Sequence, residues 1–397
     1  MNREDFPMLK DDLVYLDNSA TTFKPKQVID KVMEYYNNYT SNIHRGDYDI
    51  SIKVDTMYDN VRDKVKDFIN ASSNKEIVFT SGATDSLNKI IFGFMKYYLK
   101  EDDEVLLTKS EHASNFIPWL ALAKQIKCKI KFIDLDNHLV TIDNVKKAIT
   151  SKTKVISLAW ITNVLGDVRP IYEIGKVCKD NNILFVVDGA QSVPHIKTDV
   201  ILNNIDFLAF SSHKMLGPSG VGVLYGKYDL LNKMKPLEYG GGMNESFNSL
   251  GEVELKELPT RLEAGTPPIE GVIGLGEAID YINKIGIDNI SKHEIELKKY
   301  FLEEVKDIDN LIIYNKDTES GIVTFNLDNI FSQDTAVYLN HYNICVRAGN
   351  HCAKALKEDL NVKNTCRISF YIYNNKEDVL KTVKSLKESK DIFNVIL

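Results

Sequence analysis

The sequence predicts an α/β fold in which a mostly parallel seven-stranded sheet lies between helices, followed by a smaller α+β C-terminal domain. Between residues 77 and 225, short apolar runs alternate with segments of helical periodicity. That alternation is typical of buried parallel strands connected by helices. It ends in a proline- and glycine-rich stretch at residues 258–268, after which helices and strands follow in a mixed order. The two patterns together predict a large sheet-containing domain and a second, smaller one.

Each predicted element has its own local pattern. Helices are expected first at residues 24–39 and 51–69, where apolar residues recur near helical spacing. The seven strands of the sheet are the apolar runs 77–80, 105–108, 130–135, 155–159, 184–187, 207–210 and 221–225. Helices are predicted between most of them, at 86–99, 116–125 and 171–181. In the smaller domain we expect helices at 271–285, 289–305, 332–341 and 376–387, and strands at 322–326, 344–347 and 366–370.

Composition and charge argue against several classes of function. The 397 residues include 49 basic and 56 acidic ones, and the net charge is −7. No basic block is present to neutralise phosphates, so nucleic acid is not expected as a partner. Without an apolar run of membrane-spanning length or a leader segment, we expect a cytoplasmic protein with no membrane contact. The five cysteines lack the spacing of a zinc site or a disulfide framework, which fits a reducing compartment.

Lys214 stands between the apolar runs 207–210 and 221–225. A lysine between two buried strands is unfavourable unless a partner compensates its charge. Two interpretations are open. The side chain can reach the surface, which is the commoner case, or it can be a desolvated amine with a lowered pKa that condenses with a carbonyl group. This window alone favours the first.

Three further segments carry polar residues at the ends of predicted elements. Asp188 follows a buried strand, at the edge where open α/β sheets bind ligands, although an aspartate there could also cap the next helix. The small residues at 80–84 open a helix whose free N–H groups could bind an anion or form an ordinary helix start. Glu111 and His112 follow another strand.

Ten short motifs extend these segments over nearly the whole chain. They are YLDNSAT at 15–21, HRG at 44–46, EHASN at 111–115, TNVLG at 162–166, DGAQ at 188–191, SSHK at 211–214, GGGM at 240–243, EAGTP at 263–267, RAGNHC at 347–352 and RIS at 367–369. Each is weak alone, but in this order they resemble the class V branch of the fold-type I pyridoxal-phosphate enzymes. The sequence is most similar to the cysteine desulfurases of group II, the sulfur-mobilising type that serves iron–sulfur cluster assembly.

The resemblance implies a domain organisation. Residues 21–264 would form the large domain that binds pyridoxal phosphate. Residues 1–20 and 265–397 would form the small domain, which carries the nucleophilic cysteine, and the loop 44–46 would lie at the rim of the active site. The family completes each phosphate site with a Gly-Thr pair from the other subunit, here Gly265 and Thr266, so a homodimer is implied as well.

The resemblance implies pyridoxal 5'-phosphate as the cofactor. Lys214 would attach it covalently, Asp188 would keep its pyridine nitrogen protonated, and His112 would stack on its ring. The remaining contacts would be hydrogen bonds, to the ring hydroxyl from Asn163 and Gln191, and to the phosphate from Ala83, Thr84, Ser211 and His213.

The resemblance also implies the reaction, which is the desulfuration of L-cysteine to L-alanine. Arg367 would bind the substrate carboxylate through its planar guanidinium, and Arg347 would lie nearby with a less defined role. Lys214 would move the α-proton, and His112 would join it among the catalytic residues. Cys352, in a polar loop that contains glycine, would accept the sulfur as a persulfide. A small acceptor protein would then take the sulfur for iron–sulfur clusters or other sulfur-containing cofactors.

The chain departs from the family pattern at Asn350, Tyr48 and Ala83, which leaves its turnover and its choice of acceptor open. Two alternatives use the same scaffold: a selenocysteine lyase, which uses a similar thiol, and an aminotransferase, which has no need of Cys352. A non-catalytic protein that keeps the fold for dimerisation is the alternative from another class. The presence of the lysine, the aspartate and the cysteine together argues against that one.

Overall fold

The computed structural model describes residues 2–43 and 46–396 of the chain. Its strands are β1 (Val14–Tyr15), β2 (Ile77–Thr80), β3 (Glu104–Leu107), β4 (Lys129–Phe132), β5 (Thr153–Ala159), β6 (Leu184–Asp188), β7 (Phe207–Ser211), β8 (Gly222–Gly226), β9 (Asn244–Phe247), β10 (Val253–Leu255), β11 (Leu311–Ile313), β12 (Ile322–Leu327), β13 (Ile344–Cys345), β14 (Arg347–Gly349) and β15 (Thr365–Ser369). Its α-helices are α1 (Lys26–Asn38), α2 (Asp49–Phe68), α3 (Ala83–Asn88), α4 (Lys96–Tyr98), α5 (Ile117–Ile126), α6 (Ile142–Ala148), α7 (Ile171–Asp180), α8 (Tyr228–Leu231), α9 (Ile269–Ile285), α10 (Ile287–Glu304), α11 (Ser332–Asn340), α12 (Lys354–Asp359) and α13 (Lys376–Ile396). None of these helices combines the length and apolar character needed to cross a membrane.

The central sheet has seven strands in the order β2-β8-β7-β6-β5-β3-β4. Strand β8 is antiparallel to both of its neighbours, and the other pairs are parallel. The prediction of a mostly parallel seven-stranded sheet is therefore confirmed. Strand β4 ends at Phe132 and not at residue 135, because β3, with which it pairs, ends opposite Phe132 at Leu107.

The parallel strands of the sheet end at one edge, where the antiparallel β8 begins. Asp188 closes β6 beside Ala209 of β7, and Ser211 closes β7 beside Gly222. These strands are buried almost throughout, as expected for a sheet with helices on both faces. Parallel strands end on the same side of a sheet, so the polar residues that follow them lie close together.

A second sheet, antiparallel throughout, has the order β11-β12-β15-β14. The predicted strand 344–347 is wrong as one element, because the chain changes partner within it. Strand β13 pairs in parallel with β1 of the N-terminal arm, whereas β14 pairs with β15. Strand β11 and helix α12 were not anticipated, since each is too short to give a clear pattern.

The apolar core is divided along the same lines as the sheets. One cluster under the small sheet joins Val14 and Leu16 of the N-terminal arm to Phe325 and Ile368. Helix α9 instead packs on α1 and α2 and belongs to the main core. The division of the chain after residues 20 and 264 stays a prediction, and this packing favours placing α9 with the large domain.

Candidate active site

A cavity of about 250 Å³ opens at the edge where the central strands end. Among its lining residues are most of those predicted for the site: Ala83, Thr84, His112, Asn163, Asp188, Gln191, Ser211, His213, Lys214, Arg347, Cys352 and Arg367. Gly265 and Thr266 do not line it, and the Thr266 hydroxyl instead accepts a hydrogen bond from Asn42 at 3.4 Å. The predicted rim residues His44 and Arg45 lie outside the described part of the chain. Tyr48 contacts Ser41 through its hydroxyl at 2.9 Å.

Lys214 ends a short 3₁₀ turn that continues directly from β7. Its side chain lines the cavity. Burial of the amine lowers its pKa to about 8, whereas the nearby Asp188 carboxylate acts to raise that pKa. The carbonyl of the preceding His213 accepts hydrogen bonds from the Thr22 N–H, at 3.0 Å, and the Thr21 hydroxyl, at 3.1 Å. The N-terminal arm therefore fixes the backbone that carries the lysine.

Asp188 is the last residue of β6 and is buried. Burial raises the pKa of its carboxyl group to about 6, although the Ala190 N–H donates a hydrogen bond to Oδ1 at 3.0 Å. A buried carboxyl group with a raised pKa would be stabilised as a carboxylate by a cationic partner in the cavity. The protonated nitrogen of a pyridine ring is a partner of that kind.

His112 follows Glu111 and begins the 3₁₀ turn Ala113–Asn115. The Ser114 N–H donates to its Nδ1 at 3.1 Å, so the neutral ring carries its proton on Nε2. Burial, with a further contribution from Lys214, lowers the pKa of His112 to about 4. The ring is therefore neutral at physiological pH, which suits stacking on a flat aromatic ligand.

A buried ion pair holds the residue that precedes His112 in the chain. The guanidinium of Arg169 contacts the carboxylate of Glu111, and both side chains are fully buried. The second oxygen of Glu111 accepts the Ala159 N–H, at the end of β5, at 2.7 Å. Sequence analysis missed the role of Glu111 and Arg169, which are far apart in the chain. The only hint in the sequence was that Glu111, a carboxylate, directly precedes His112.

The other end of the cavity collects hydrogen-bond donors. Helix α3 begins at Ala83, so the N–H groups of its first turn have no partners within the helix. The Ala83 N–H donates to the Ser211 hydroxyl at 2.7 Å, and the Thr84 and Ser114 hydroxyls are 2.7 Å apart. Burial lowers the pKa of His213 to about 4, helped by the nearby Lys214. Such a cluster of N–H and O–H groups fits a phosphate.

Arg367 lies on β15 with its guanidinium almost completely buried. One nitrogen donates to the Asn163 carbonyl at 2.8 Å, and another contacts Asp17 at 2.9 Å. Its Nε has no hydrogen-bond partner among the described residues. Arg347 contacts the same aspartate at 3.3 Å. The role of Asp17 was not predicted from the sequence, although two arginines beside one substrate carboxylate need a counter-charge.

Cys352 is exposed in a loop that follows β14. His351 and Cys352 both have left-handed backbones, with φ of 52° and 55°. Two backbone carbonyls of the loop accept hydrogen bonds from across the cavity. The Ala113 N–H donates to the Cys352 carbonyl and the Asn163 side-chain amide donates to the His351 carbonyl, each at 2.7 Å. The thiol therefore stands between solvent and the cavity, beside the segment that carries His112.

The donors and acceptors of the cavity fit the cofactor that the resemblance implies. The side-chain oxygens of Asn163 and Gln191 are buried and have no hydrogen-bond donor among the described residues. Both residues line the cavity, so a ring hydroxyl could satisfy either oxygen. Together with the lysine amine, the buried carboxyl group of Asp188 and the phosphate-type cluster, they match each polar group of pyridoxal phosphate.

Comparisons with known proteins agree with this geometry. The family model described as aminotransferase class-V matches residues 14–381. A probable cysteine desulfurase of Halalkalibacterium halodurans is 42% identical over 394 residues, which is 98% of this chain and 97% of that protein. A probable cysteine desulfurase of Staphylococcus aureus is 42% identical over 400 residues, covering 98% of this chain and 96% of that protein.

Solved structures give the same result. The cysteine desulfurase CsdA of Escherichia coli superposes with a TM-score of 0.93 at 32% identity and covers 98% of both chains. A cysteine desulfurase of Thermococcus onnurineus has a TM-score of 0.94 at 36% identity, covering 97% of this chain and 96% of that one. The similarity thus extends over both sheets and the cavity between them.

Proposed function

Because the chain belongs to the aminotransferase class-V family, and within it to the cysteine desulfurases, we propose that it converts L-cysteine to L-alanine and takes the sulfur onto Cys352 as a persulfide. The observation that carries the proposal is that one cavity is lined by both Lys214 and the exposed Cys352. An aminotransferase would need the lysine but not the thiol. The sulfur would go to iron–sulfur cluster assembly or to another sulfur-containing cofactor, as in the group II enzymes.

Pyridoxal phosphate is the cofactor of this site, and when bound it withdraws electrons from the substrate's α-carbon. Lys214 would hold it covalently and Asp188 would pair with its ring nitrogen. His112 would stack on the ring, and the free oxygens of Asn163 and Gln191 would be available to its hydroxyl. The donors of Ala83, Thr84, Ser211 and His213 would hold the phosphate.

Arg367 orients the substrate by its carboxylate. A guanidinium presents parallel N–H groups to two carboxylate oxygens, and the unpartnered Nε of Arg367 leaves such a donor free. The Asn163 carbonyl and Asp17 hold the rest of the guanidinium in place. A buried and already oriented donor holds the carboxylate in one place and so limits the orientations that the amino acid can take in the cavity.

Lys214 handles the proton of the α-carbon. With a pKa lowered to about 8, its amine is close enough to neutrality to accept and return a proton near physiological pH. An ordinary lysine, with a pKa of about 10.4, would remain protonated. Burial of the amine therefore produces the base that the reaction needs.

Cys352 takes the sulfur. Its Sγ, as the thiolate, forms a bond to the substrate sulfur while the bond between that sulfur and the β-carbon breaks. The β-carbon gains a proton and leaves as the methyl group of alanine, so one thiol and one cysteine give one persulfide and one alanine. Since Cys352 is exposed, a small acceptor protein can reach the persulfide from solvent.

A homodimer completes the phosphate site in this proposal, with Gly265 and Thr266 supplied by the other subunit. Support comes from the hairpin of β9 and β10, whose side chains Phe247, Leu250 and Val253 are largely exposed in the single chain. Exposed apolar side chains of this kind commonly mark an interface. The Gly265 N–H also donates to the Gly241 carbonyl at 2.8 Å, which links the Gly-Thr segment to the start of this hairpin.

The test is alanine formation from L-cysteine in the presence of dithiothreitol. Cys352→Ser should keep the absorbance band of the bound cofactor and lose at least about a hundredfold in rate, because a hydroxyl does not attack the substrate sulfur. Cys345→Ser is the matched control, since Cys345 lies seven residues away and does not line the cavity. Alanine formation by Cys352→Ser at the wild-type rate would overturn the proposed function.

A further inference from the structure

Asp17 places one carboxylate against both arginines of the cavity wall. Its two oxygens lie 2.9 Å from Arg367 and 3.3 Å from Arg347. The Arg367 side chain is 2% exposed, whereas that of Arg347 is 49% exposed. Among the described residues, no other carboxylate lies within ion-pair distance of either guanidinium. Two cations therefore share one built-in anion beside a cavity that they both line.

The two arginines have different freedom to bind a ligand. Arg367 is also held by the Asn163 carbonyl and keeps a buried Nε without a partner, so one donor remains for a ligand carboxylate. Arg347 has Asp17 as its only hydrogen-bond partner among the described residues and is half exposed. If Asp17 were neutral, Arg347 would be a free cation beside the bound amino acid and would attract a second carboxylate.

We propose that Asp17 is a specificity-determining residue, which pairs with Arg347 and thereby selects amino acids with one carboxylate over those with two. This inference rests on the role given to Arg367 in the proposed function. L-Cysteine and L-alanine have one carboxylate and need only Arg367. A dicarboxylic amino acid would meet a neutralised Arg347 and the negative charge of Asp17.

Asp17→Asn tests this directly, because the amide keeps the shape of the side chain. Its oxygen can still accept a hydrogen bond from Arg367, while the charge that holds Arg347 is lost. Because a charge at contact distance near a protein surface still acts on a bound ligand after solvent competition, we expect roughly a tenfold change in relative affinity. The ligand that gains is the dicarboxylic one.

The experiment measures dissociation constants of L-alanine and L-aspartate for the holoenzyme, from the absorbance of the bound cofactor and by calorimetry. In Asp17→Asn the ratio of the aspartate constant to the alanine constant should fall about tenfold. In Arg347→Gln it should rise several-fold, because Asp17 then repels the second carboxylate with one cation fewer to offset it. Asp12→Asn, which removes a surface carboxylate of the same arm, should leave the ratio unchanged.

Equal weakening of both ligands in Asp17→Asn, with an unchanged ratio, would overturn the inference and leave Asp17 as a support for Arg367. If Asp17→Asn fails to fold, Arg347→Gln is the test: a several-fold rise in the ratio supports the inference, and an unchanged ratio overturns it. Arg367→Gln separates this inference from the proposed function. If Arg367→Gln binds L-alanine as tightly as the wild type, Arg367 does not have the role given to it in the proposed function. If Arg367→Gln loses alanine binding while Asp17→Asn leaves the ratio of the two dissociation constants unchanged, only the role of Asp17 is wrong.

Discussion

The two walls of the cavity are built in different ways. Asp188 and Lys214 stand at the ends of buried strands, so the central sheet fixes them from behind. Cys352 stands on an exposed loop with left-handed backbone at two successive residues, which costs on the order of 1 kcal/mol or more for each. That loop is held by hydrogen bonds to Ala113 and Asn163 across the cavity, and by the buried His351 ring, whose Nε2 lies 2.9 Å from the Thr365 carbonyl. The cofactor wall is therefore held by paired strands of the sheet, whereas the sulfur-accepting wall depends on a few hydrogen bonds that can break and re-form.

Removing Lys214 should have the largest effect on the cofactor wall. Lys214→Ala should abolish covalent attachment of the cofactor and lower alanine formation by more than about a thousandfold, because both a covalent anchor and a base are lost. Lys298→Met is the matched control, since burial also lowers the pKa of Lys298 to about 8 but that lysine does not line the cavity. Loss of cofactor attachment in folded Lys298→Met would contradict this assignment.

Breaking the buried ion pair between Arg169 and Glu111, next to His112, should have the largest effect on stability. Arg169→Met leaves the Glu111 carboxylate buried without its cation, which should lower the free energy of unfolding by about 3–5 kcal/mol. Lys75→Met breaks the exposed pair with Glu257 and should leave the free energy of unfolding nearly unchanged. Urea denaturation of the two variants measures the difference. Equal effects of the two substitutions would mean that the ion pair between Arg169 and Glu111 does not stabilise the wall of the cavity that carries His112.

Loosening the Cys352 loop should have an intermediate effect. Asn163→Asp removes the N–H donor to the His351 carbonyl, and one such bond is worth about 1 kcal/mol, so alanine formation should slow about fivefold. Alkylation of Cys352 by iodoacetamide should become faster at the same time. Asn350→Ala, an exposed side chain of the same loop, should change neither. Slower alkylation in Asn163→Asp would show that the bond does not restrain the loop.

The pH dependence of cofactor attachment should give the smallest change. Only the neutral amine attaches the cofactor, so the rate for the apoprotein should rise with pH and level off above about pH 8, the lowered pKa of Lys214. Asp188 raises that pKa, so the midpoint should move to lower pH in Asp188→Asn. Borohydride trapping of the attached cofactor measures both profiles. A rate that still rises toward about pH 10.4, as for an ordinary lysine, would contradict the burial argument.

Much of the large domain could be predicted because its strands are short apolar runs with turns between them. The run at Ile77–Thr80 is a strand with the predicted limits, and most of the others differ by one or two residues. The small domain was harder because its elements depend on distant partners. Strand β13 exists only through its pairing with β1, more than three hundred residues away, and no local pattern contains that information.

The site divides in the same manner. Lys214, Asp188 and His112 lie at or after the ends of strands and belong to recognisable motifs, so their roles could be predicted from the sequence. Asp17 acquires its role only where the N-terminal arm meets β15, and Arg169 only where it is buried against Glu111. Ion pairs between segments far apart in the chain require the fold to be known. The roles of Gly265 and Thr266 stay predictions that depend on a second subunit.

The most direct test of the account is the mass of the intact protein after a single turnover. The holoenzyme would be mixed with one equivalent of L-cysteine in the absence of thiols, and peptide mapping would then locate any added sulfur. We expect a mass increase of one sulfur atom on Cys352, with one alanine released, and no increase in Cys352→Ser. Alanine release with no sulfur on Cys352, or with sulfur on another cysteine, would contradict it.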